Sequence, residues 1–444
     1  MKQKFFDDNV LLHSSTAVKL YKDVANLPIV DYHSHLCEQE IAEDLKFTTI
    51  TEFWLKRDHY KWRAMRSCGV DEKFITGDAC DYDKFLAYAT VMPKLVGNPL
   101  YYWTHMELKR IFGIVKPLNA ETASDIYAQA NEKLKTLSVK SLLKMFNVEY
   151  LATTDDPISS LAYHGVYDNV RVCPTFRADM ALKFDGDYLV KLGEAWGKQI
   201  RTLADFQSAL ESRLQYFVSK GCTIADVSVE QIPDVNVSEQ EAASIFLNRE
   251  KLTPEQKRSL YSYCMSYLAG LYRKHDITWQ LHIGALRNIN TRAYSALNAD
   301  AGYDVMQGYI DTNAIAKFLN FLHETDRLPK IVLYTLNVSA LQALSTIAPC
   351  FPNVRIGAAW WFNDTLKGIR SHLETLAEYS VLGTSLGMLT DSRSFSSYCR
   401  FDFFRRILAD YVAEKVDAGE YDKESAKQLL YDICYANPKA FMNL

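Results

Sequence analysis

The chain has 444 residues, 48% of them hydrophobic, and a formal net charge of -4 at pH 7. This length allows two or three domains or one large α/β barrel, and the apolar fraction is ample for a sizeable core. The mildly acidic balance offers no electrostatic grip on nucleic acid or on an anionic membrane surface, so neither is expected as a partner. Nine cysteines, odd in number and without a C-x-x-C pair, point to reduced thiols and a cytoplasmic location. The opening MKQKFFDDNVLL lacks the apolar core of a signal peptide, and no run resembles a membrane span.

In chain order, short β-rich runs occur at 27–33 (LPIVDYH), 148–155 (VEYLATTD), 169–176 (NVRVCPTF) and 221–229 (GCTIADVSV). Four more follow at 277–284 (ITWQLHIG), 330–337 (KIVLYTLN), 353–361 (NVRIGAAWW) and 385–393 (SLGMLTDSR). Amphipathic helical stretches such as ESRLQYFVSK and NAIAKFLNFLHET separate several of them. Eight strands alternating with helices predict an α/β chain folded as a distorted (β/α)8 barrel. The first gap, 36–147, is too long for a βα connection and is rich in helix formers and aromatics. It is read as a helical insertion domain capping the pocket, with 1–35 and 148–444 forming the barrel. No internal repeat or low-complexity segment appears.

Barrel chemistry sits at strand C-termini. Those ends carry His33 and His35, then Thr153 to Asp156, Arg177, Asp226, His282, Tyr334, Trp360 and Trp361, and finally Asp391 and Arg393. Residues two apart leave a strand on the same side, so His33 and His35 can converge on one point. In a closed barrel the eighth strand adjoins the first, which brings Asp391 beside them. Two imidazoles and a carboxylate are a ligand set for one divalent metal with open positions. The competing reading makes Asp391 a helix cap within TDSRSF.

With these residues assembled, the sequence resembles the uronate isomerase (glucuronate isomerase) family, an outlying branch of the amidohydrolase superfamily. The resemblance runs nearly end to end. It is carried by DYHSHL (31–36), DHYKWRAMRSCGV (58–70), GNPLYYWTHMEL (97–108), PTFRAD (174–179), WQLHIGALRN (279–288), AAWWFNDT (358–365) and GMLTDSRSF (387–395). The last three motifs are specific in combination, whereas HSH alone is not. Family membership implies interconversion of D-glucuronate with D-fructuronate and of D-galacturonate with D-tagaturonate. Matched by motif, His33, His35 and Asp391 would be the metal ligands, and His59, Tyr60, Arg177, His282, Trp360 and Arg393 would line the active site. Zinc is the first expectation for the metal, and manganese or another divalent ion suits the same ligands. By analogy with the family, a homo-oligomer is expected.

The residues carry this chemistry on their own terms. The fourth run has no lysine to bridge two metals and the sixth ends in Tyr334, so only His282 matches the two-metal hydrolase pattern. Isomerisation needs a base near C2, a proton route to C1, enediolate stabilisation and a grip on the carboxylate. Asp391 is the candidate base, acting directly or through metal-bound water. Arg177 or Arg393 can grip a carboxylate bidentately. The metal can hold the C1 and C2 oxygens or the substrate carboxylate; the sequence allows either. His59 and Tyr60 would close the pocket and supply a proton donor, though DHYKWRAMR also reads as an amphipathic packing helix. His282 serves equally as a donor to a substrate hydroxyl or as a supporting polar group. Of Trp360 and Trp361, one is expected to pack the barrel and the other to wall the pocket. His105 reads as a packed helix residue.

Val227 stands where family members commonly carry a histidine after the aspartate, and Phe401 where many carry a polar residue; both departures bear on the preferred uronate. Two other functions use the same histidines. A mononuclear amidohydrolase-type hydrolase would not require Tyr60, Arg177 and Arg393 around its pocket. A sugar-acid binding protein would not need Asp391.

Overall fold

A computed structural model describes residues 5–232 and 237–444. Eleven strands are assigned among them: β1 Ile29–Asp31, β2 Val148–Ala152, β3 Gly165–Tyr167, β4 Val170–Cys173, β5 Thr175–Arg177 and β6 Ile224–Val229, then β7 Thr278–Ile283, β8 Ala285–Leu286, β9 Val305–Met306, β10 Ile331–Thr335 and β11 Val354–Ile356. One sheet has the order β1-β2-β4-β3 and a second the order β11-β10-β7-β6-β5. Every pairing in them is parallel except β3 with β4. The run expected at 169–176 is two strands, because Pro174 has no N–H to give the ladder and the pairing lapses there. A parallel bridge between Asp155 and Phe176 spans the seam.

The run expected as an eighth strand, 385–393, is not one. Asp391 has a φ of 43° and Gly387 a φ of 69°, left-handed conformations that an extended ladder cannot absorb. The segment nonetheless lies along β1 and its exit. Asp391 N–H donates to the His33 carbonyl at 3.1 Å and His35 N–H to the Ser392 carbonyl at 3.0 Å. The buried Asp31 carboxylate takes the Thr390 N–H at 2.9 Å and its hydroxyl at 2.6 Å. The hydrogen-bonded order therefore does not close into a complete ring of eight strands.

From Glu38 to Met145 every regular element is a helix or a 3-10 turn. Their apolar faces share one core with the helices Ser15–Val24 and Cys399–Asp417. A second core lies between the strands and the helices Leu203–Ser219, Pro254–Lys274 and Thr312–Glu324. A third, holding Val30, Tyr32, Tyr150, Ile224, Val332, Tyr334, Leu386 and Leu389, is enclosed by the strands themselves. Strand periodicity sorts β10 between the two: Ile331 and Leu333 face the helices, Val332 and Tyr334 the inner core. Gln280 is buried on that inner side, donating to the Tyr32 carbonyl at 3.0 Å and accepting from the Tyr334 hydroxyl at 2.6 Å. These polar groups satisfy one another, so they can be buried without penalty.

Candidate active site

A cavity of about 820 Å3 opens where the parallel strands end. His33, His35, His59, Tyr60, Arg177, His282, Trp360, Asp391 and Arg393 all line it. They arrive from six places: the exit of β1, the first turn of helix His59–Ser67, the end of β5, β7, the segment after β11, and the segment 387–393.

Asp391 is the meeting point. His33 Nε2 and His35 Nε2 both lie 3.2 Å from its Oδ1, and Trp360 Nε1 donates to its Oδ2 at 2.7 Å. The β1 geometry explains the convergence, since residues 33 and 35 leave the strand on one side while their backbones bracket 391–392. The His33 side chain is 1% exposed and His35 27%, so of the two imidazoles on the cavity wall His35 is the more open. Burial works to raise the Asp391 carboxyl, but the hydrogen bonds and charges of His33 and His35 prevail and hold it well below the usual carboxylate range. Burial depresses His35 to about 4, which leaves a neutral imidazole with a lone pair to offer.

Among the described residues, two groups of side chains have the spacing to hold a metal ion. Ligand atoms of His33, His35 and Asp391 lie within 4.8 Å of one another, as do those of His33, Asp226 and His282. The second suits a cation poorly, because Arg177 Nη1 already donates to Asp226 Oδ2 at 2.9 Å and places a positive charge there. The first is two neutral-capable imidazoles and an ionised carboxylate at a cavity wall, and it fits a divalent ion. His282 leaves both ring nitrogens buried and unpartnered. It lies 4.5 Å from the His33 ring and stacks on Tyr334 at 4.6 Å and 8°. Burial, then the neighbouring His33, pushes His282 well below its ordinary value, so the ring is neutral.

Arg177 is fixed from two sides, donating through Nε to Asp179 Oδ2 at 3.0 Å and through Nη1 to Asp226. Asp58 caps the helix that carries His59 and Tyr60, accepting from the Tyr60 N–H at 3.0 Å and the Lys61 N–H at 3.1 Å. Beneath Tyr60 the buried Arg400 guanidinium lies 5.0 Å from its ring and 4.0 Å from that of Trp103. Burial keeps the Tyr60 hydroxyl well above its ordinary value, hence protonated.

Not every strand-end residue reaches the cavity. Thr153 and Asp155 hydrogen-bond each other at 2.6 Å behind it, whereas their alternates Thr154 and Asp156 line it. Tyr334 supports His282 from below. Both Trp360 and Trp361 are cavity walls, so the expected division between them does not occur. Val227 is also on the wall, while Phe401 is buried beside Tyr398 in the helical core. His105 is packed, with Nδ1 2.7 Å from the Tyr101 carbonyl and Nε2 accepting from the Leu118 N–H at 3.0 Å. Sequence reasoning missed Asp179, Asp300 and Arg400. Asp179 had a signal, since it lies two residues after Arg177 at a strand exit.

The glucuronate isomerase family model matches residues 1–442. The chain belongs to the glucuronate isomerase family. The uronate isomerase of Caldanaerobacter subterraneus subsp. tengcongensis is 43% identical over the full length of both chains, 100% of each. Among solved structures, uronate isomerase from Thermotoga maritima superposes with a TM-score of 0.96 at 37% identity, covering 99% of this chain and 100% of its own. Glucuronate isomerase from Caulobacter crescentus gives 0.93 at 25% identity, with 99% and 97% covered. As a member of the glucuronate isomerase family the chain is an isomerase of uronates, and the alternative of an amidohydrolase-type hydrolase is not favoured.

Proposed function

We propose that the cavity interconverts D-glucuronate with D-fructuronate, and D-galacturonate with D-tagaturonate, with Asp391 moving the proton between C2 and C1. The observation that carries this is the convergence of His33, His35 and Trp360 on one ionised carboxylate at the cavity wall. His33, His35 and Asp391 would hold one divalent ion, zinc first and manganese next, which supplies Lewis acidity toward substrate oxygens. Asp391 takes the proton from C2, the C2–H electron pair becomes the C1–C2 double bond of an enediol, and O1 is protonated. The same carboxyl then returns its proton to C1 as O2 releases its own. Tyr60, held protonated, and His59 donate at O1 or the ring oxygen. Arg177, braced by Asp179 and Asp226, and Arg393 offer the carboxylate grip, His282 orients a hydroxyl, and the Trp360 ring packs against the bound sugar as a wall of the pocket.

The same reading makes the fold a distorted (β/α)8 barrel with 36–147 as a helical insertion over the pocket. It is supported by the parallel strand order, the strand-enclosed inner core and the return of 387–392 onto β1. A cytoplasmic homo-oligomer completes it. Nine free cysteines suit a reducing compartment, no helix among the described residues is long and apolar enough to cross a membrane, and sizing in solution tests the assembly.

The deciding experiment supplies metal-loaded protein with each uronate and follows the ketouronate through a coupled reductase. Turnover that disappears in Asp391→Asn is the expected result. No turnover of either sugar acid by the native protein overturns the proposal.

A further inference from the structure

Trp361 is buried at the cavity wall with a φ of 51°. A bulky residue keeps that left-handed backbone only where its surroundings impose it. Two contacts grip its ring. Phe362 stacks on it at 4.8 Å and 15°, and the Arg287 guanidinium lies 4.8 Å from its centroid. The His59 imidazole in turn meets Trp361 in a T-shaped contact at 5.8 Å and 74°.

Both grips lead to one residue, Asp304. The antiparallel register of β8 on β9 pairs Leu286 with Val305, so Arg287 leaves β8 opposite Asp304. Arg287 Nη1 donates to Asp304 Oδ2 at 2.9 Å, and the Asn288 N–H donates to Oδ1 at 2.7 Å. From the other side comes Arg63, on the helix that bears His59 and Tyr60. Its guanidinium lies 4.9 Å from the Phe362 ring, and its Nη1 donates to the Asp304 carbonyl at 2.6 Å. Asp304, Arg287, Trp361, Phe362 and Arg63 therefore close a circuit between three parts of the chain. The Asp304 side chain is 4% exposed and that of Arg287 36%, so a buried anion fixes a cation that reaches the cavity. Cation–π contact and aromatic stacking are of the same order as the backbone strain they oppose.

We propose that Asp304 is a positioning residue: through Arg287 it holds Trp361 in its strained conformation and so sets the pocket wall against which His59 packs. The kinetic consequence rests on the isomerase reading above; the conformational one does not. Asp304→Asn separates charge from anchorage. It keeps the carbonyl that Arg63 uses, yet whichever way its amide turns, the NH2 group meets a donor from Arg287 or from Asn288.

The test is fluorine NMR of the metal-loaded enzyme carrying fluorotryptophan, with Trp361, Trp196 and Trp279 assigned by single Trp→Phe variants, alongside steady-state kinetics on each uronate. The proteins are wild type, Asp304→Asn, Arg287→Met and the double variant, with Asp304→Ser replacing Asn should that variant not fold. The Trp361 resonance should shift in both single variants and no further in the double, while Trp196 and Trp279, distant in the fold, stay in place. kcat/KM should fall about ten-fold in each single variant, within the loss a displaced pocket group produces, and no further in the double, because the two residues act as one unit. An unmoved Trp361 resonance in either single variant overturns the proposal. So do equal shifts at Trp196 and Trp279, which would make Asp304 a support of the whole fold, and so do losses that multiply in the double variant. The resonances do not depend on turnover, so these outcomes are distinct from failure of the isomerase reading, which appears as no ketouronate from wild type.

Discussion

Trp360 gives its indole N–H to Asp391 Oδ2 at 2.7 Å, leaving Oδ1 to face His33 and His35, each at 3.2 Å. One carboxylate is thereby divided into an oxygen fixed by the protein wall and an oxygen shared with the imidazoles. Trp360→Phe removes the donor and keeps an aromatic wall. We expect bound metal to be retained and kcat to fall by about 10- to 100-fold, the loss of one hydrogen bond to a charged group being about 1.5–3 kcal/mol. Steady-state kinetics together with elemental analysis check it, and metal loss on the same scale as the activity would contradict it.

His35→Ala should strip the site of metal, because two ligands in an aqueous cavity do not retain an ion that needs three protein donors. Elemental analysis should find metal in wild type and little in the variant. Chelation followed by adding back Zn2+ or Mn2+ should restore wild-type activity but not that of the variant.

Asp391→Asn keeps the shape, removes the proposed base and weakens one of the three metal donors, so it is assayed with divalent metal in excess and its metal content measured. A decrease in kcat of about 10²–10⁴-fold is expected, the usual contribution of a positioned general base. Exchange of the C2 proton with deuterated solvent, followed by NMR, should disappear with it. Exchange that persists would assign the base elsewhere.

Arg400 lies 4.0 Å from the Trp103 ring, contacts Tyr60 and donates through Nη1 to the Thr390 carbonyl at 3.0 Å, one residue before Asp391. Lysine cannot stack and donate in that planar way. Arg400→Lys should therefore lower kcat more than it raises KM, and should destabilise the fold by about 3 kcal/mol because buried Asp364 keeps a poorer partner. A variant with wild-type kcat would show that Tyr60 needs no support from below.

His105 lies far from this chemistry and reports on pH. Burial depresses it to about 4 in the folded chain, while the unfolded ring titrates near 6.5. Between those values the unfolded state binds the extra proton, so this contribution to stability is present above pH 6.5 and is lost as the pH falls toward 4. The stability advantage of wild type over His105→Gln should therefore shrink by up to about 3 kcal/mol across that window. Denaturant unfolding at both ends of the window measures it, and a constant difference would mean the ring is protonated in the fold.

Much of the site was legible before any coordinates. His33 and His35 are two apart at a strand exit, where a period of two places them on one side, and Arg177, His282 and Trp360 end apolar runs that became β5, β7 and the segment after β11. Asp300 was not legible. It sits in a polar loop with no periodicity, and its place on the cavity wall comes from the chain between β7 and β10, whose anchors, Arg63 and Arg66, are more than two hundred residues away in the chain.

Local pattern settled the element types, the parallel strand order expected of alternating strands and helices, and the residue kinds at the strand ends, because periodicity and turn chemistry act over a few neighbouring residues. The eighth run shows where that reach stops. SLGMLTDSR has the composition of a strand, yet Thr390 and Asp391 direct their N–H groups to the Asp31 carboxylate and the His33 carbonyl, and the backbone at Asp391 turns left-handed. Those partners lie some 360 residues earlier in sequence. Only the packed chain brings them within hydrogen-bond distance, and it is that contact, rather than any preference of the segment, that aims Asp391 at the two histidines.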